Sequence, residues 1–323
     1  MMQFPKGRTG ALAGTKLAWG MAAAALLPAP ALAQSSDGWS GLYAGAEAGA
    51  ASGRLRASGS DAVSQLSNIL VPGRGLVVVP GTTVPSGGSG TETNLVYGGL
   101  IGGQWQTGGL ILGIEGDLHG ARDLSAYTNS VTLAATILAP TSNGSVSRSA
   151  HMSYDWSVRA RIGAAIGART MIYASGGIAG ARVRLTGQDI LTTPAGAGAT
   201  SGNTPAFASP TIGPVVLTAS ERRGLNGWTG GFGGETRLSR HIGIGLDARY
   251  TDYGSHDFAL ASGCSVGSAV AGTCAGVTRN APAIVINGTT LNPATDVTPA
   301  VVPGATAARF RDMRLTARVV FHF

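Results

Sequence analysis

From Trp39 onward the chain alternates apolar residues with polar or small ones at a period of two. That is the period of a β-strand, whose successive side chains point to opposite faces. Eight such segments stand out: Trp39–Ser52, Asn94–Gln106, Leu110–Arg122, Ser153–Ile166, Thr170–Arg184, Gly227–Leu238, Ile242–Tyr253 and Arg309–Phe323. In the third, Leu112, Ile114 and Leu118 alternate with Gly113, Glu115, Asp117 and His119. In the eighth, Met313, Leu315, Ala317, Val319, Phe321 and Phe323 oppose Asp312, Arg314, Thr316, Arg318 and His322. The phase of the fifth segment is the least clear.

The polar faces carry full charges, which a soluble sheet would turn to water. The opposite faces are apolar yet rich in Ala and Gly, a poor filling for a sandwich core but adequate against lipid, which needs no interlocking. Connections alternate in length. Those at Gly108–Gly109, Gly167–Arg169 and Ser239–His241 are tight, whereas Gly53–Thr93, Asp123–Met152, Leu185–Asn226 and Gly254–Ala308 are long. Short periplasmic turns and long outer loops mark outer-membrane barrels. Aromatic residues near segment ends, Trp39, Tyr43, Trp105, Trp156, Trp228, Tyr250, Phe321 and Phe323, fit interfacial girdles. In hydrocarbon an unpaired backbone group is costly, so the first and last segments must pair. The pattern predicts an all-β fold: a closed antiparallel transmembrane β-barrel of eight strands with short periplasmic turns and four long extracellular loops.

The N-terminus modifies this picture. Lys6, Arg8 and Lys16 precede the apolar stretch Leu17–Leu27, Pro28 and Pro30 follow it, and Ala31-Leu32-Ala33 offers a cleavage site. Residues 1–33 therefore read as a cleaved signal peptide and 34–323 as the barrel. Losing those three basic residues lowers the net charge from +7 to +4. The remaining charge is scattered, so no nucleic-acid surface is expected. After Ala33 no apolar run is long enough for a spanning helix.

Particular stretches resemble a known family. Gly38-Trp39-Ser40-Gly41-Leu42-Tyr43-Ala44-Gly45 resembles the opening strand of the small outer-membrane β-barrel proteins of alphaproteobacteria, the outer-membrane immunogenic or opacity-type porin-like proteins. Gly113–Asp117, Val158–Gly163, Tyr173–Ala179, Gly227–Gly231 and Arg249–Gly254 continue the resemblance through all eight segments, although not through the four long connections. The resemblance implies eight strands, an outer-membrane location and a structural or surface role. The C-terminal Phe323, with Phe321 two positions before it, is similar to the signal read by the barrel-assembly machinery.

Chemistry is sparse. An eight-stranded barrel has room for little more than its own side chains, so Glu47, Glu115, Asp117, Arg159, Arg161, Glu235, Arg237, Asp247, Arg249, Arg314 and Arg318 are expected to form a lumen charge network. Cys264 and Cys274 are the only cysteines; in an exported chain they are read as a disulfide pair. No catalytic, cofactor or metal residue is expected. Gly263–Gly267 matches a nucleophile-elbow pattern without its strand–helix context, and the five histidines lack metal-ligand spacing. The expected role is structural and surface-interactive, with outer-membrane lipid and lipopolysaccharide, the assembly machinery and a surface or self-association partner as contacts. Two alternatives are a small porin and, resting on His256-Asp257, a lipid-modifying enzyme. The long connections also hold β-prone runs, Gly75–Pro80, Pro214–Thr218, Ala283–Ile286 and Ala300–Pro303. Exposed singly these would invite edge pairing, so they are expected to extend the strands or pack over the barrel mouth.

Overall fold

The computed structural model describes residues 38–64, 68–71, 75–78, 82–133, 141–193, 196–197, 208–209, 212–260, 284–286, 289–291 and 300–323. The leader at 1–33 and the pair Cys264 and Cys274 lie outside them. Nine long strands build the sheet: β1 (Gly41–Ser64), β2 (Gly88–Thr107), β3 (Leu110–His119), β4 (Arg122–Leu133), β5 (Ser142–Ile166), β6 (Thr170–Thr193), β7 (Ile212–Arg237), β8 (Ile242–Ala259) and β9 (Ala305–His322). β3 and β4 are two pieces of one barrel strand, broken at Gly120 and Ala121; both pair with β5. The third alternating segment thus stops at His119 rather than Arg122.

Counting β3 and β4 as one, each strand pairs antiparallel with the next, and β1 closes the ring by pairing with β2 on one edge and β9 on the other. Around Ala48 the registers are Ala48↔Tyr97 and Ala48↔Ala317. The tight turns follow from local chemistry. Gly108 (φ 59°) and Gly167 (φ 68°) adopt the left-handed conformation that glycine tolerates. In the Ser239–His241 turn the Ser239 hydroxyl accepts from the Ile242 amide at 3.1 Å.

Polarity is inverted relative to a soluble protein. Phe232 is 70% and Leu246 59% exposed, whereas Arg159 is fully buried. The outward band includes Ile101, Leu112, Ile114, Ile162, Ile172, Leu315 and Val319. Trp228 and Tyr250, ring centroids 5.5 Å apart, mark its outer rim; Phe321 and Phe323 stand at its inner rim. Trp39 and Tyr43 do not join these girdles. Both are buried inside, with Ile111, Met171 and Tyr173 near Trp39 and with Leu100 and Val320 near Tyr43. Odd-numbered Tyr43 shares the inward phase of Glu47, and Gly102 and Gly233 leave the space for the lumen tyrosines. A Cβ at Gly102 would lie 2.3 Å from the Tyr43 ring, and one at Gly233 2.4 Å from the Tyr173 hydroxyl.

Beyond the girdle the strands run on, and much of what alternation left to loops is paired sheet. The fifth segment faces Ala179, Ala181 and Val183 inward and Ile172, Ala174 and Ile178 outward, and Leu185 beyond it keeps the inward phase. There the ring opens into two four-stranded walls. One joins β8, β9, β1 and β2; the other joins β4, β5, β6 and β7. Among the described residues no backbone ladder joins β2 to β4, or the outer half of β7 to that of β8. Side chains bridge these seams instead: Tyr127 Oη donates to the Ser86 carbonyl (2.7 Å), Asn129 Nδ2 to that of Gly87 (2.7 Å) and Arg223 Nη1 to that of Asp257 (2.5 Å). Each seam starts at an irregularity. The first is the break at Gly120, the second a bulge in β8 between Asp252 and Ser255 where Gly254 has φ 75°. Bulges bend and twist a strand, here turning the two walls toward each other.

Between the walls lies an apolar core: Leu55, Leu124, Met152, Val183, Leu185, Leu225, Tyr253, Phe258 and Phe310. The outer part is therefore a small sandwich, a head standing on the membrane ring. Two of the β-prone runs join the main sheet, and two form separate hairpins. Pro214–Thr218 lies in β7, Gly75–Val78 pairs with Asn68–Val71, Ile284–Ile286 with Thr289–Leu291, and Ala300–Val302 with the tip of β1.

Phe310 is fully buried and packs edge-on against Phe258 at 5.9 Å. Truncation to alanine at such a site costs about 3–5 kcal/mol. Phe310→Ala should render the head protease-sensitive in proteoliposomes, while the membrane ring stays heat-modifiable on gels. An unchanged digestion rate would contradict an independent head core.

Candidate functional site

The inward face of the ring carries six carboxylates, Glu47, Glu115, Asp117, Asp155, Asp247 and Asp312, against six guanidinia, Arg122, Arg159, Arg161, Arg249, Arg314 and Arg318. Alternation selects them: on β3, Glu115, Asp117 and His119 face in because Ile114 and Leu118 face out. Glu115 is the hub. It accepts from Arg159 Nη2 (2.5 Å), Arg161 Nη1 (3.0 Å), Arg318 Nη1 (3.0 Å) and the Tyr43 hydroxyl (3.1 Å). Glu47 takes Arg318 at 2.8 Å and Arg249 at 3.2 Å, and lies 2.5 Å from His119 Nε2. Asp247 takes Arg159 (3.3 Å), Arg249 (3.2 Å) and the Tyr173 hydroxyl (2.9 Å). Asp155 and Asp312 share Arg314 and Arg122.

The numbers balance, and a low-dielectric interior requires that. A buried charge is tolerable only when paired and hydrogen-bonded. Arginine supplies the forked donors by which one carboxylate can be held from several strands. The belt thus ties β1, β3, β5, β8 and β9 across the lumen.

Two residues expected in this network stand apart. Arg237 lies toward the inner mouth, stacked 4.2 Å over the Trp39 ring and donating to the Gly38 carbonyl at 3.0 Å. Glu235 lies near it, 2.6 Å from His322 Nε2. Both sit at the end of β7 beside the turn, a height that face periodicity alone does not report. Conversely, Tyr43, His119, Arg122, Asp155, Tyr173 and Asp312 belong to the belt. His119, Asp155 and Asp312 were legible on polar faces; Arg122 follows the strand break that alternation did not show.

Asp117, His119 and Asp155 offer ligand atoms within 4.8 Å of one another, a spacing a cation could use. Arg249 already donates to Asp117, and Arg314 and Arg122 to Asp155. A cation would have to displace these guanidinia. His256 does not pair with Asp257: its Nε2 lies 2.7 Å from the Tyr253 carbonyl. The exposed pair is His151 Nδ1 and Asp123 Oδ1, at 2.8 Å.

The chain has a counterpart among known sequences. The family model described as "Outer membrane protein beta-barrel domain" matches residues 20–267. The chain belongs to this family. No curated relative matches it. Among solved structures it is similar to Ail, the attachment invasion locus protein of Yersinia pestis, at 11% identity and TM-score 0.20, with 84% of this chain and 97% of that one covered. It is also similar to the outer membrane protease OmpT from Escherichia coli (9%, TM-score 0.34, 88% and 97%) and to a Pseudomonas aeruginosa FadL homologue (7%, TM-score 0.23, 86% and 90%).

In this outer-membrane barrel the lumen is layered from end to end. Inside the inner mouth lie Trp39, Ile111, Met171 and Tyr173, then the charged belt, then the apolar core of the head. Higher still, Arg148 of β5 clasps the two walls. Its Nη2 donates to both Asp61 oxygens (2.6 and 2.5 Å) on β1, its Nη1 to Asp189 (2.9 Å) on β6. Val84, Val131, Val146, Leu191 and Val301 pack together toward the strand tips. Asp61, Arg148 and Asp189 all fall in stretches that alternation assigned to loops.

Glu115→Ala should destabilise the barrel by about 3–5 kcal/mol, the cost of leaving buried partners unpaired. In a double-mutant cycle read by urea unfolding in detergent, Glu115 and Arg159 should couple, whereas Glu115 and Arg237 should add independently. Additivity for the first pair would remove Glu115 from the hub. The clasp makes a second prediction. Two carboxylates face one guanidinium, and burial, with Asp61 nearby, pushes Asp189 up to about 7 from an ordinary 3.8. Protonation is then favoured in the folded head, so this group's contribution is greatest in acid and is lost as pH rises from about 4 to 7. Head proteolysis should accelerate over that interval, and Asp189→Asn should flatten the profile; an unchanged profile in the variant would exclude Asp189.

Proposed function

We propose that this protein is a stoppered outer-membrane anchor that presents a rigid head as an interaction surface. One observation carries the reading: above the membrane the chain builds a second, apolar-cored sandwich that spanning the bilayer does not require. A flexible fringe would need no such core. The filled lumen supports the same reading, because a conducting path would cross two apolar layers and a self-neutralised belt. The resemblance to the alphaproteobacterial opacity-type proteins is consistent with a surface role, and the Ala31-Leu32-Ala33 stretch with export and cleavage after Ala33.

We read the protein as non-enzymatic. A hydrolytic alternative rests on the open His151–Asp123 pair, which with Glu92, Ser125 and Ser149 lines a cavity of about 270 Å³ on the flank of the head. No hydroxyl is hydrogen-bonded to that histidine among the described residues, so a general base lacks its nucleophile there.

In planar bilayers the purified protein should be silent, and steady unitary steps would overturn the stoppered reading. Replacing residues 53–93 and 254–308, which carry most of one wall of the head, by Asn-Gly turns should leave heat-modifiable protein in the membrane but abolish adhesion or self-aggregation of expressing cells. If every such phenotype survives in the replaced chain, the head is not the working surface.

A further inference from the structure

The outward face of β1 and β9 carries an unusual arrangement just beyond the apolar band. Arg54 lies directly across from Arg311, and Arg56 directly across from Arg309. Residues opposite one another on adjacent strands share a face, with Cβ atoms about 5 Å apart, and like charges so placed repel. Two such pairs in succession put four guanidinia on one patch.

Internal neutralisation is incomplete. Asp252 of β8 accepts from Arg309 Nη2 (2.6 Å) and Arg311 Nε (3.2 Å), one carboxylate for two arginines. Among the described residues Arg54 and Arg56 have no ion-pair or hydrogen-bond partner; across β2 they meet Thr91 and Ser89. The patch therefore has a net charge of about three positive units and two guanidinia free to bind.

Its height identifies the anion. Met313, the last large apolar residue of β9 on this face, is level with Tyr250 of the outer girdle. Arg311 and Arg309 stand two and four residues further, roughly 7 and 14 Å along the strand at about 3.4 Å per residue. Girdle aromatics sit at headgroup depth, so these arginines occupy the anionic layer immediately outside the hydrocarbon. Arg182, Arg184 and Arg222 stand beyond Ile178 and Trp228 on β6 and β7, Arg222 opposite Arg184, and repeat the motif on the other flank.

We propose that Arg54, Arg56, Arg309 and Arg311 form a binding site for the phosphates of an outer-leaflet glycolipid, a lipid A-type headgroup seated against the β9–β1 wall. Each phosphate oxygen can accept from a forked guanidinium, and a bound phosphate converts the repulsion of each cross-strand pair into a bridge. Asp252 holds Arg309 and Arg311 in place, while Arg54 and Arg56 supply the open donors.

The test uses the full-length mature protein in nanodiscs of zwitterionic lipid, titrated with labelled diphosphoryl lipid A. Arg54→Gln combined with Arg56→Gln should weaken binding by roughly thirtyfold, taking each arginine at an anionic surface as a factor of about five. Lipid A stripped of phosphate should bind the parent as weakly as intact lipid A binds the variant, and millimolar inorganic phosphate should not compete. Heat-modifiability on gels establishes that each variant is folded, and Arg54→Lys with Arg56→Lys, which keeps the charge but not the fork, should fall between parent and glutamine variant. Equal affinity of parent and folded glutamine variant would overturn the site. Equal binding of dephosphorylated lipid A, or full competition by inorganic phosphate or heparin, would overturn the lipid assignment in favour of a non-phosphate contact or a soluble anion.

Discussion

A backbone amide or carbonyl left unpaired in hydrocarbon costs several kcal/mol, and lipid offers nothing to pair with it. Everything else in this molecule follows from meeting that demand with eight strands. The sheet must close, so β1 pairs with β2 and β9 at once. Closure at this strand number leaves a lumen of side-chain width. Inward positions are therefore buried whether or not they are apolar. Because the outward positions are given to lipid, the polar half of each alternating strand ends inside. The balanced belt around Glu115 is the form in which that half is tolerable: six carboxylates, six guanidinia and tyrosine hydroxyls at hydrogen-bonding distance.

Outside the membrane the demand lapses, because water can serve an unpaired edge. The ring opens at that height, at Gly120 on one side and at the Gly254 bulge on the other. An opened ring no longer encloses its contents by backbone alone, and a second principle takes over. The two walls must bury an apolar interior against each other, as any two-sheet sandwich does. Leu55, Met152, Val183, Phe258 and Phe310 supply it. One chain thus uses opposite rules within single strands. On β9, Arg314 and Arg318 face inward below the girdle, and Phe310 faces inward above it.

This change of rule marks the limit of what alternation reveals. Period-two patterning identifies the membrane strands because lipid imposes one strict contrast between the faces, and the contrast at Leu112–Asp117 or Met313–Arg318 is unambiguous. In the head both faces hold mixtures: Arg among Ala, Gly, Thr and Ser outside, and Ala among larger apolar residues inside. Strand and loop then look alike in one dimension, and β1 beyond Gly53 or β7 before Gly227 reads as connection. Trp39 and Tyr43 were misplaced for a related reason. An aromatic near a strand end fits a girdle by composition, and only its phase relative to Glu47 assigns it to the lumen. Arg237 shares the inward phase of the belt but not its height, a coordinate set by the turn at Ser239. Asp61, Arg148 and Asp189 could not be linked at all, since their meeting depends on two walls facing across a seam.

The distribution of arginine shows how the two environments are kept distinct. In the belt each guanidinium is matched by a carboxylate, because no outside ion can neutralise it there. On the outward face above the girdle matching is incomplete: Arg54, Arg56, Arg182, Arg184 and Arg222 point outward without partners among the described residues. Unmatched surface charge is cheap in water, yet these residues are not dispersed but set opposite one another, where repulsion is greatest. A chain selected only for solubility would interleave both signs. Cross-strand Arg–Arg pairs on two flanks beyond the girdle instead make sense beside a plane of negative charge, such as the outer leaflet offers and the lumen does not. The charge of the belt is set by what the protein must satisfy alone, and that of the outward arginines, on the reading proposed above, by what the membrane brings to them.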